Sequence, residues 1–234
     1  MRAPLAPDLR RREVTAQELM DDPSCDRALL DATYARFGTV NRLVAGWRGL
    51  YRTRVRPLLS ATEPTRLLDI GSGGGDIARA LSEWAREDGL RLAITAIDPD
   101  ERAFAFAAAR PMPGVEFRRA SSSELVDEGA SFDLVTSNHL LHHLSTEALH
   151  SLLDDSERLA PRVLHNDIER SRLAYTAYML ATRPIAAGSF LHYDGSLSVR
   201  RSYTAPELRS VVPEGWRVER AAPYRVLLTR GPAT

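Results

Sequence analysis

The sequence predicts an α/β fold: a doubly wound, mostly parallel sheet of seven strands with an antiparallel C-terminal hairpin and a helical lid. Two observations predict the sheet. Short apolar runs alternate with helical patterns from residue 66 to residue 167, and a glycine cluster separates the first run from the first helix. Apolar runs joined by helices are typical of parallel strands buried on both faces. The segment after residue 215 instead predicts two strands and a turn containing a proline.

The first 60 residues predict a separate helical segment. Apolar side chains recur there every three or four positions, and the pattern ends at Pro57. We expect residues 1–60 to form an N-terminal helical lid and residues 61–234 to form the core domain. A second lid is expected as an insertion at about 170–203, because a helical pattern interrupts the strand–helix alternation there.

The core elements follow in a regular order. Strands are predicted at 66–70, 92–98, 114–120, 132–139 and 162–167, and helices at 76–87, 101–110 and 146–159. Thr204 and Glu207 have the spacing of a capping box, which predicts a further helix before the hairpin.

Composition excludes several function classes. The chain of 234 residues carries 31 basic and 31 acidic side chains, so its net charge gives no general attraction to nucleic acid or to an anionic membrane. Every basic residue is arginine, which excludes a phosphate loop of the Walker type and a Schiff-base lysine. Cys25 has no cysteine partner, and no apolar stretch has the length of a membrane span. We therefore expect a cytoplasmic protein.

The glycine cluster predicts a ligand without phosphate. It reads "DIGSGGGD", and a dinucleotide fingerprint would need a small residue where Asp76 stands. A carboxylate at that helix N-terminus would compete with a pyrophosphate for the same positive end. A nucleoside that bears a cation suits the loop better.

The pattern Asp69-x-Gly71-x-Gly73-x-Gly75 resembles the first motif of the class I S-adenosylmethionine-dependent methyltransferases, whose fold is Rossmann-like. Asp98 at the end of the second strand and "FDLVTSNHLLHHL" resemble later motifs of the same family. The likeness is to the small-molecule branch that includes the ubiquinone/menaquinone-type enzymes and methyltransferases of aromatic natural products. "NDIERSRLAY" and "HYDGSLSVRRSYTAPEL" resemble further marks of one such subgroup.

The resemblance implies S-adenosylmethionine as the cofactor. Asp69 would lie nearest its amino group, and Asp98 would bind the ribose diol. The family often has an aspartate after the third strand for the adenine amino group, and here serines stand at that place. The complete implied cofactor set is Asp69, Gly71, Ser72, Gly73, Gly75, Asp98, Pro99, Ser121, Ser122 and Asn138.

Three histidines after the fourth strand, His139, His142 and His143, are candidate catalytic bases. Phenols titrate near pH 10, so a histidine is a sensible proton acceptor, although many such sites work by positioning alone. A zinc pair at His139 and His143 lacks an obvious third ligand, and a magnesium site lacks a carboxylate where Asn138 stands. We expect no metal. Substrate contacts are predicted at His192, Tyr193, Arg200 and Asn166.

The predicted function is O-methylation of a phenolic hydroxyl on a small aromatic or polyketide-like substrate, in secondary metabolism. A C-methyltransferase of quinone-type biosynthesis and a non-catalytic cofactor-binding protein stay open. Neither nucleic acid nor membrane insertion is expected, and the oligomeric state stays open, a homodimer included.

Overall fold

The computed structural model describes residues 7–232, without the side chains of residues 42–44. The predicted seven-stranded, mostly parallel sheet is confirmed, and its spatial order is β3-β2-β1-β4-β5-β7-β6. β1 to β5 are parallel, whereas β7 lies antiparallel between β5 and β6. The strands are Thr65–Ile70 (β1), Leu92–Ile97 (β2), Val115–Arg118 (β3), Leu134–Asn138 (β4), Val163–Ile168 (β5), Arg217–Ala221 (β6) and Arg225–Arg230 (β7).

Helices cover both faces of this sheet. They are Arg27–Val44 (α1), Trp47–Leu50 (α2), Asp76–Glu87 (α3), Glu101–Ala108 (α4), Ser122–Asp127 (α5), Thr146–Leu159 (α6), Arg172–Thr182 (α7), Leu191–Arg201 (α8) and Ala205–Val211 (α9). The helices predicted at 76–87 and 146–159 have these bounds, and Thr204 and Glu207 form the predicted capping box. Helices α5 and α8 were not predicted. No helix within residues 7–232 is long and apolar enough to cross a membrane.

Two apolar layers hold the sheet between its helices. On one face, Leu68 and Val135 pack with Leu153, and all three are fully buried. On the other face, Leu67 packs with Leu81 of α3. The order of the strands reverses at β1 and β4, so the connections that leave these neighbouring strands diverge and open a crevice at their carboxyl ends.

Residues 12–21, here called the N-terminal strap, lie along α8 above that crevice. Arg12 Nε donates to the carbonyl of Arg201 at 2.7 Å. Both carboxylate oxygens of Asp194 accept from the strap, one from Leu19 N at 2.7 Å and the other from Met20 N at 3.0 Å. The division into a lid of residues 1–60 and a core stays a prediction, and residues 1–6 lie outside the described residues.

Candidate active site

A cavity of about 650 Å³ lies at the carboxyl edge of the sheet, at the switch between β1 and β4. The loops after β1, β2 and β4 form one wall, while the N-terminal strap and helices α1, α7 and α8 form the other. Cavities of roughly 300–1,000 Å³ bind small molecules and cofactors. Helices α7 and α8, which lie within the segment 170–203, line the cavity, and their role as a lid stays a prediction.

The glycine loop after β1 is held by Asp98. Gly71 and Gly73 have positive φ angles of 67° and 52°, which glycine adopts without a Cβ penalty. One oxygen of Asp98 accepts a hydrogen bond from Gly73 N, and the other accepts from Asp100 N, both at 2.9 Å. The carboxylate therefore connects the ends of β1 and β2, where the resemblance expects the ribose. Ser72 also lines the cavity.

Gly75, a member of the predicted cofactor set, does not line the cavity, whereas Gly74 does. A Cβ at Gly75 would lie 2.4 Å from the ring of Phe117, and the backbone has a φ of 76°. Packing of the loop against β3 and a left-handed turn both require glycine at this position.

Carboxylates surround the loop. Asp69, Asp76 and Asp98 line the cavity, and burial raises the pKa of all three, that of Asp69 to about 7. Asn41 of α1 donates to Asp76 at 2.9 Å. The one arginine among the described lining residues is Arg225. Such a wall favours a cationic ligand and disfavours a phosphate, so the residues present fit a sulfonium nucleoside.

Three further members of the predicted cofactor set do not line the cavity. Neither Pro99 nor the two serines are among its lining residues. Ser121 is the N-cap of α5 and forms a capping box with Glu124, and Ser122 donates to Asp155 at 2.6 Å. The structure therefore places the serines at a helix start, which sequence reasoning missed because it did not predict α5.

Asn138 lines the cavity at the end of β4, and its orientation is fixed by its neighbours. Its Oδ1 accepts from Trp47 Nε1 at 2.9 Å and from Asn166 Nδ2 and Arg225 Nη2 at 3.2 Å each. Because indole and guanidinium nitrogens only donate, the oxygen must point toward them. The amide nitrogen of Asn138 is left as a donor.

His139 has a defined tautomer. Its Nε2 lies 2.6 Å from Nη1 of Arg225, and since a guanidinium has no lone pair to offer, Nε2 accepts. The hydrogen of the neutral ring is then on Nδ1. Burial, with the Arg225 charge, lowers the pKa of His139 well below its ordinary value. His139 is therefore a hydrogen-bond donor in the cavity wall and a poor proton acceptor.

His142 is held by a carboxylate on one edge of its ring. Nδ1 donates to Asp167 Oδ1 at 2.8 Å, and the backbone N donates to Asp167 Oδ2 at 3.0 Å. Nε2, on the other edge, is buried and has no hydrogen-bond partner among the described residues; it lies 3.7 Å from Glu18 Oε1. Burial acts to lower the pKa of His142, but Asp167 and Glu18 outweigh it and raise the pKa to about 9.

His143 completes a cluster with Glu18 and His142. Its ring lies 4.3 Å from that of His142, and its Nε2 lies 3.9 Å from Glu18 Oε1. Its Nδ1 lies 3.5 Å from Asp21 Oδ2. Glu18 is only 3% exposed and accepts from Ser198 Oγ at 2.8 Å. We call Glu18, His142 and His143 the histidine–glutamate cluster.

None of the four predicted substrate residues lines the cavity. Asn166 is buried in β5, where it donates to the carbonyl of Ala45 and accepts from Arg225. Arg200 pairs with Glu13 at 2.8 Å, and His192 Nδ1 lies 3.2 Å from Thr182 Oγ1.

The other face of α8 lines the cavity instead, through Leu191, Asp194, Gly195, Ser198 and Val199. The spacing of these five residues is helical. Since the sequence analysis did not predict a helix here, it could not tell the cavity face of the segment, which excludes Tyr193, from the face that packs elsewhere.

The family model described as a methyltransferase domain matches residues 67–161. The chain is 29% identical over 93 residues to a ubiquinone biosynthesis O-methyltransferase of Rhizobium leguminosarum bv. trifolii, and the aligned segment spans 38% of this chain and 33% of that enzyme. The predicted resemblance to class I methyltransferases is confirmed.

Solved structures extend the agreement in fold to most of the chain. The plantazolicin methyltransferase BpumL in complex with SAH superposes with a TM-score of 0.58 and 15% identity, covering 88% of this chain and 95% of that chain. A SAM-dependent methyltransferase from Aquifex aeolicus gives a TM-score of 0.54 and 17% identity, covering 87% and 97% of the two chains. At these identities the likeness shows the fold alone.

Glu18 and Arg225 are among the charged residues of the site that sequence reasoning missed. Arg225 is the first residue of β7 and is 3% exposed, and a charge directly adjoining an apolar run was an available signal. Glu18 gave none, because it is an ordinary glutamate in a polar segment far along the chain from His142.

Proposed function

We propose that the protein transfers a methyl group from S-adenosylmethionine to a hydroxyl oxygen of a small aromatic molecule. One observation carries the proposal: an acid-lined glycine loop and the histidine–glutamate cluster share a single cavity. The loop suits the cofactor, and the cluster supplies groups that act on a hydroxyl proton.

The cofactor half of the cavity uses residues of β1 and β2. Asp98 holds the loop and accepts from the ribose hydroxyls, while Asp69 neutralises the amino group. When bound, S-adenosylmethionine supplies a methyl group already activated on a sulfonium. The protein mainly has to align the acceptor and exclude water.

The acceptor half is apolar where the lids meet. Phe37 and Val40 of α1 face the cavity, as do Tyr178 of α7 and Leu191 of α8. A flat apolar ring fits such a wall, whereas a nucleic acid would meet an enclosed and acidic cavity. The substrate class is therefore a small aromatic molecule.

The hydroxyl proton is drawn to the histidine–glutamate cluster. His139 cannot serve as the base at Nε2, which accepts from Arg225, or at Nδ1, which carries the hydrogen. Its N–H and the amide nitrogen of Asn138 instead position the acceptor oxygen. Of the three predicted bases, His142 and His143 belong to the cluster, and His139 is a donor.

The test is an assay of the purified protein with S-adenosylmethionine and a panel of phenols, catechols and hydroxynaphthalenes, analysed by mass spectrometry. We expect a methyl ether, identified by fragmentation, and a matching amount of S-adenosylhomocysteine. A ring-methylated product would replace the proposal with C-methylation. Tight cofactor binding without any product across the panel would favour a non-catalytic protein.

A further inference from the structure

The histidine–glutamate cluster has the arrangement of an ion-binding site. Each of its three residues presents one ligand atom, and these atoms all lie within 4.8 Å of one another. For ligands bound tetrahedrally to one divalent metal, the separation is about 3.4 Å, because each lies about 2.1 Å from the ion. The observed distances from Glu18 Oε1 are 3.7 Å to His142 Nε2 and 3.9 Å to His143 Nε2.

Hydrogen bonding does not explain these contacts. A nitrogen–oxygen hydrogen bond spans about 2.7–3.2 Å, so both separations are too long. His142 Nε2 is left without a partner among the described residues although its side chain is 1% exposed. A buried unpaired polar atom of this kind costs about 1–3 kcal/mol, and a bound ion would satisfy it.

Further groups orient the candidate ligands, as in many metal sites. Histidine ligands usually donate their second ring nitrogen to a carboxylate. Asp167 holds Nδ1 of His142 at 2.8 Å, and Asp21 lies 3.5 Å from Nδ1 of His143. Ser198 orients Glu18 by a hydrogen bond of 2.8 Å.

The backbone of the histidine turn is fixed as well. Arg12 and Arg201 each donate to the carbonyl of His142 at 3.3 Å, and Arg201 also donates to that of His143 at 3.3 Å. The N-terminal strap, which carries Glu18, is bound to α8 through Asp194. The ligand geometry is therefore built before any ion binds.

We propose that Glu18, His142 and His143 bind a divalent first-row transition-metal ion, with a remaining coordination position open to the cavity. Two imidazoles and one carboxylate are a donor set that such ions take in catalytic sites. The carboxylates of Glu18, Asp21 and Asp167 offset the charge of the ion. The open position takes a hydroxyl oxygen of the substrate.

This inference rests on the proposed function for its role and departs from the metal-independent reaction that the sequence predicts. The sequence offered His139 and His143 as a pair without a third ligand. The structure instead turns His139 toward Arg225 and brings Glu18 to the other two histidines. A hydroxyl bound to the ion would ionise more readily, and its proton would leave to water, because with the ion bound both histidines act as ligands and not as proton acceptors.

The test uses the full chain, stripped with a chelator and titrated with Zn²⁺ and with Co²⁺ by calorimetry and visible absorption. We expect one equivalent of either ion and Co²⁺ bands that change on adding catechol. Glu18→Gln, His142→Ala and His143→Ala should each weaken Zn²⁺ binding at least tenfold. Asp167→Asn should weaken it about 10- to 100-fold, as loss of an orienting carboxylate does.

The matched control is His150→Ala, because this histidine is exposed and bonds only the carbonyl of Val211. This variant should bind one equivalent of Zn²⁺, like the unaltered chain. Binding of S-adenosylhomocysteine reports whether each variant is folded. Zn²⁺ affinity that is equal in the cluster variants and in His150→Ala would overturn the proposal, as would an unaltered chain that binds S-adenosylhomocysteine but no Zn²⁺.

The two proposals fail in different ways. Methyl transfer that persists in chelator-treated protein with no bound metal would reject the metal site and leave the proposed function. Stoichiometric metal binding at the cluster, with no product from any phenol, would reject the function and leave the binding site.

Discussion

The glycine loop and the histidine–glutamate cluster face the same cavity, but they are assembled in different ways. The loop comes from one stretch, residues 69–76, with Asp98 as its main outside contact. The cluster joins the N-terminal strap to the turn after β4, and α8 and β5 orient it. The cofactor site is therefore local in sequence, whereas the acceptor site depends wholly on tertiary packing.

The cluster should give the largest effect. Glu18→Gln keeps the shape of the side chain and removes its charge, so we expect turnover to fall at least 100-fold, because loss of the group that acts on a reacting proton typically costs about 10²–10⁴. Cofactor affinity should stay near normal. Turnover reports on the acceptor half of the cavity, and S-adenosylhomocysteine binding reports on the cofactor half.

The exposed Glu63 offers the matched control, and Glu63→Gln should leave both quantities unchanged. A parallel loss of turnover and cofactor affinity in Glu18→Gln would mean that the strap holds the whole cavity together. The contributions of the glycine loop and of the histidine–glutamate cluster could then not be measured separately.

This contrast explains what the sequence could predict. The strand, the glycines and Asp98 form a pattern with fixed spacing, so β1, α3 and much of the cofactor wall were predictable. The pairing of Glu18 with His142 depends on how the strap packs against α8, and no periodicity encodes that packing. Ser121 is ambiguous in the sequence for a related reason, since a helix cap and a ligand contact use the same residue type.

Packing of the glycine loop against β3 should give the next largest effect, which is on stability. Gly75→Ala places a methyl group 2.4 Å from Phe117 at a φ of 76°. We expect a loss of about 2–5 kcal/mol in the free energy of unfolding, the sum of a left-handed penalty and overpacking. Chemical denaturation measures it.

Gly89 separates those two contributions. It has a φ of 69°, and a Cβ there meets nothing within 4 Å. Gly89→Ala should therefore lose only the backbone part, about 1–2 kcal/mol. Equal losses in the two variants would show that β3 and its ring move aside, and that Gly75 is kept for its backbone alone.

A substitution of Asp98 tests the glycine loop directly. Asp98→Ala removes an acceptor from the ribose and releases Gly73, so cofactor affinity should fall by about 1–3 kcal/mol. Calorimetry with S-adenosylhomocysteine measures the change. The exposed Asp154 on α6 provides the control, and Asp154→Ala should bind normally. Unchanged affinity in Asp98→Ala would remove the ribose assignment.

The smallest expected effect is a pH dependence of cofactor affinity, which arises from Asp69 in the same cavity wall. Burial raises the pKa of Asp69 to about 7, so below that pH a growing share of the free protein carries a neutral carboxyl. The cationic cofactor favours the carboxylate, and binding must then release a proton. Affinity should be constant above pH 7 and fall below it, by at most about tenfold per pH unit.

Two measurements make this pH dependence specific to Asp69. Calorimetry at pH 6 in buffers of different ionisation enthalpy should detect the released proton, and Asp69→Asn should bind weakly without releasing it. Affinity that stays level from pH 6 to 8 would mean that Asp69 is already ionised in the free protein.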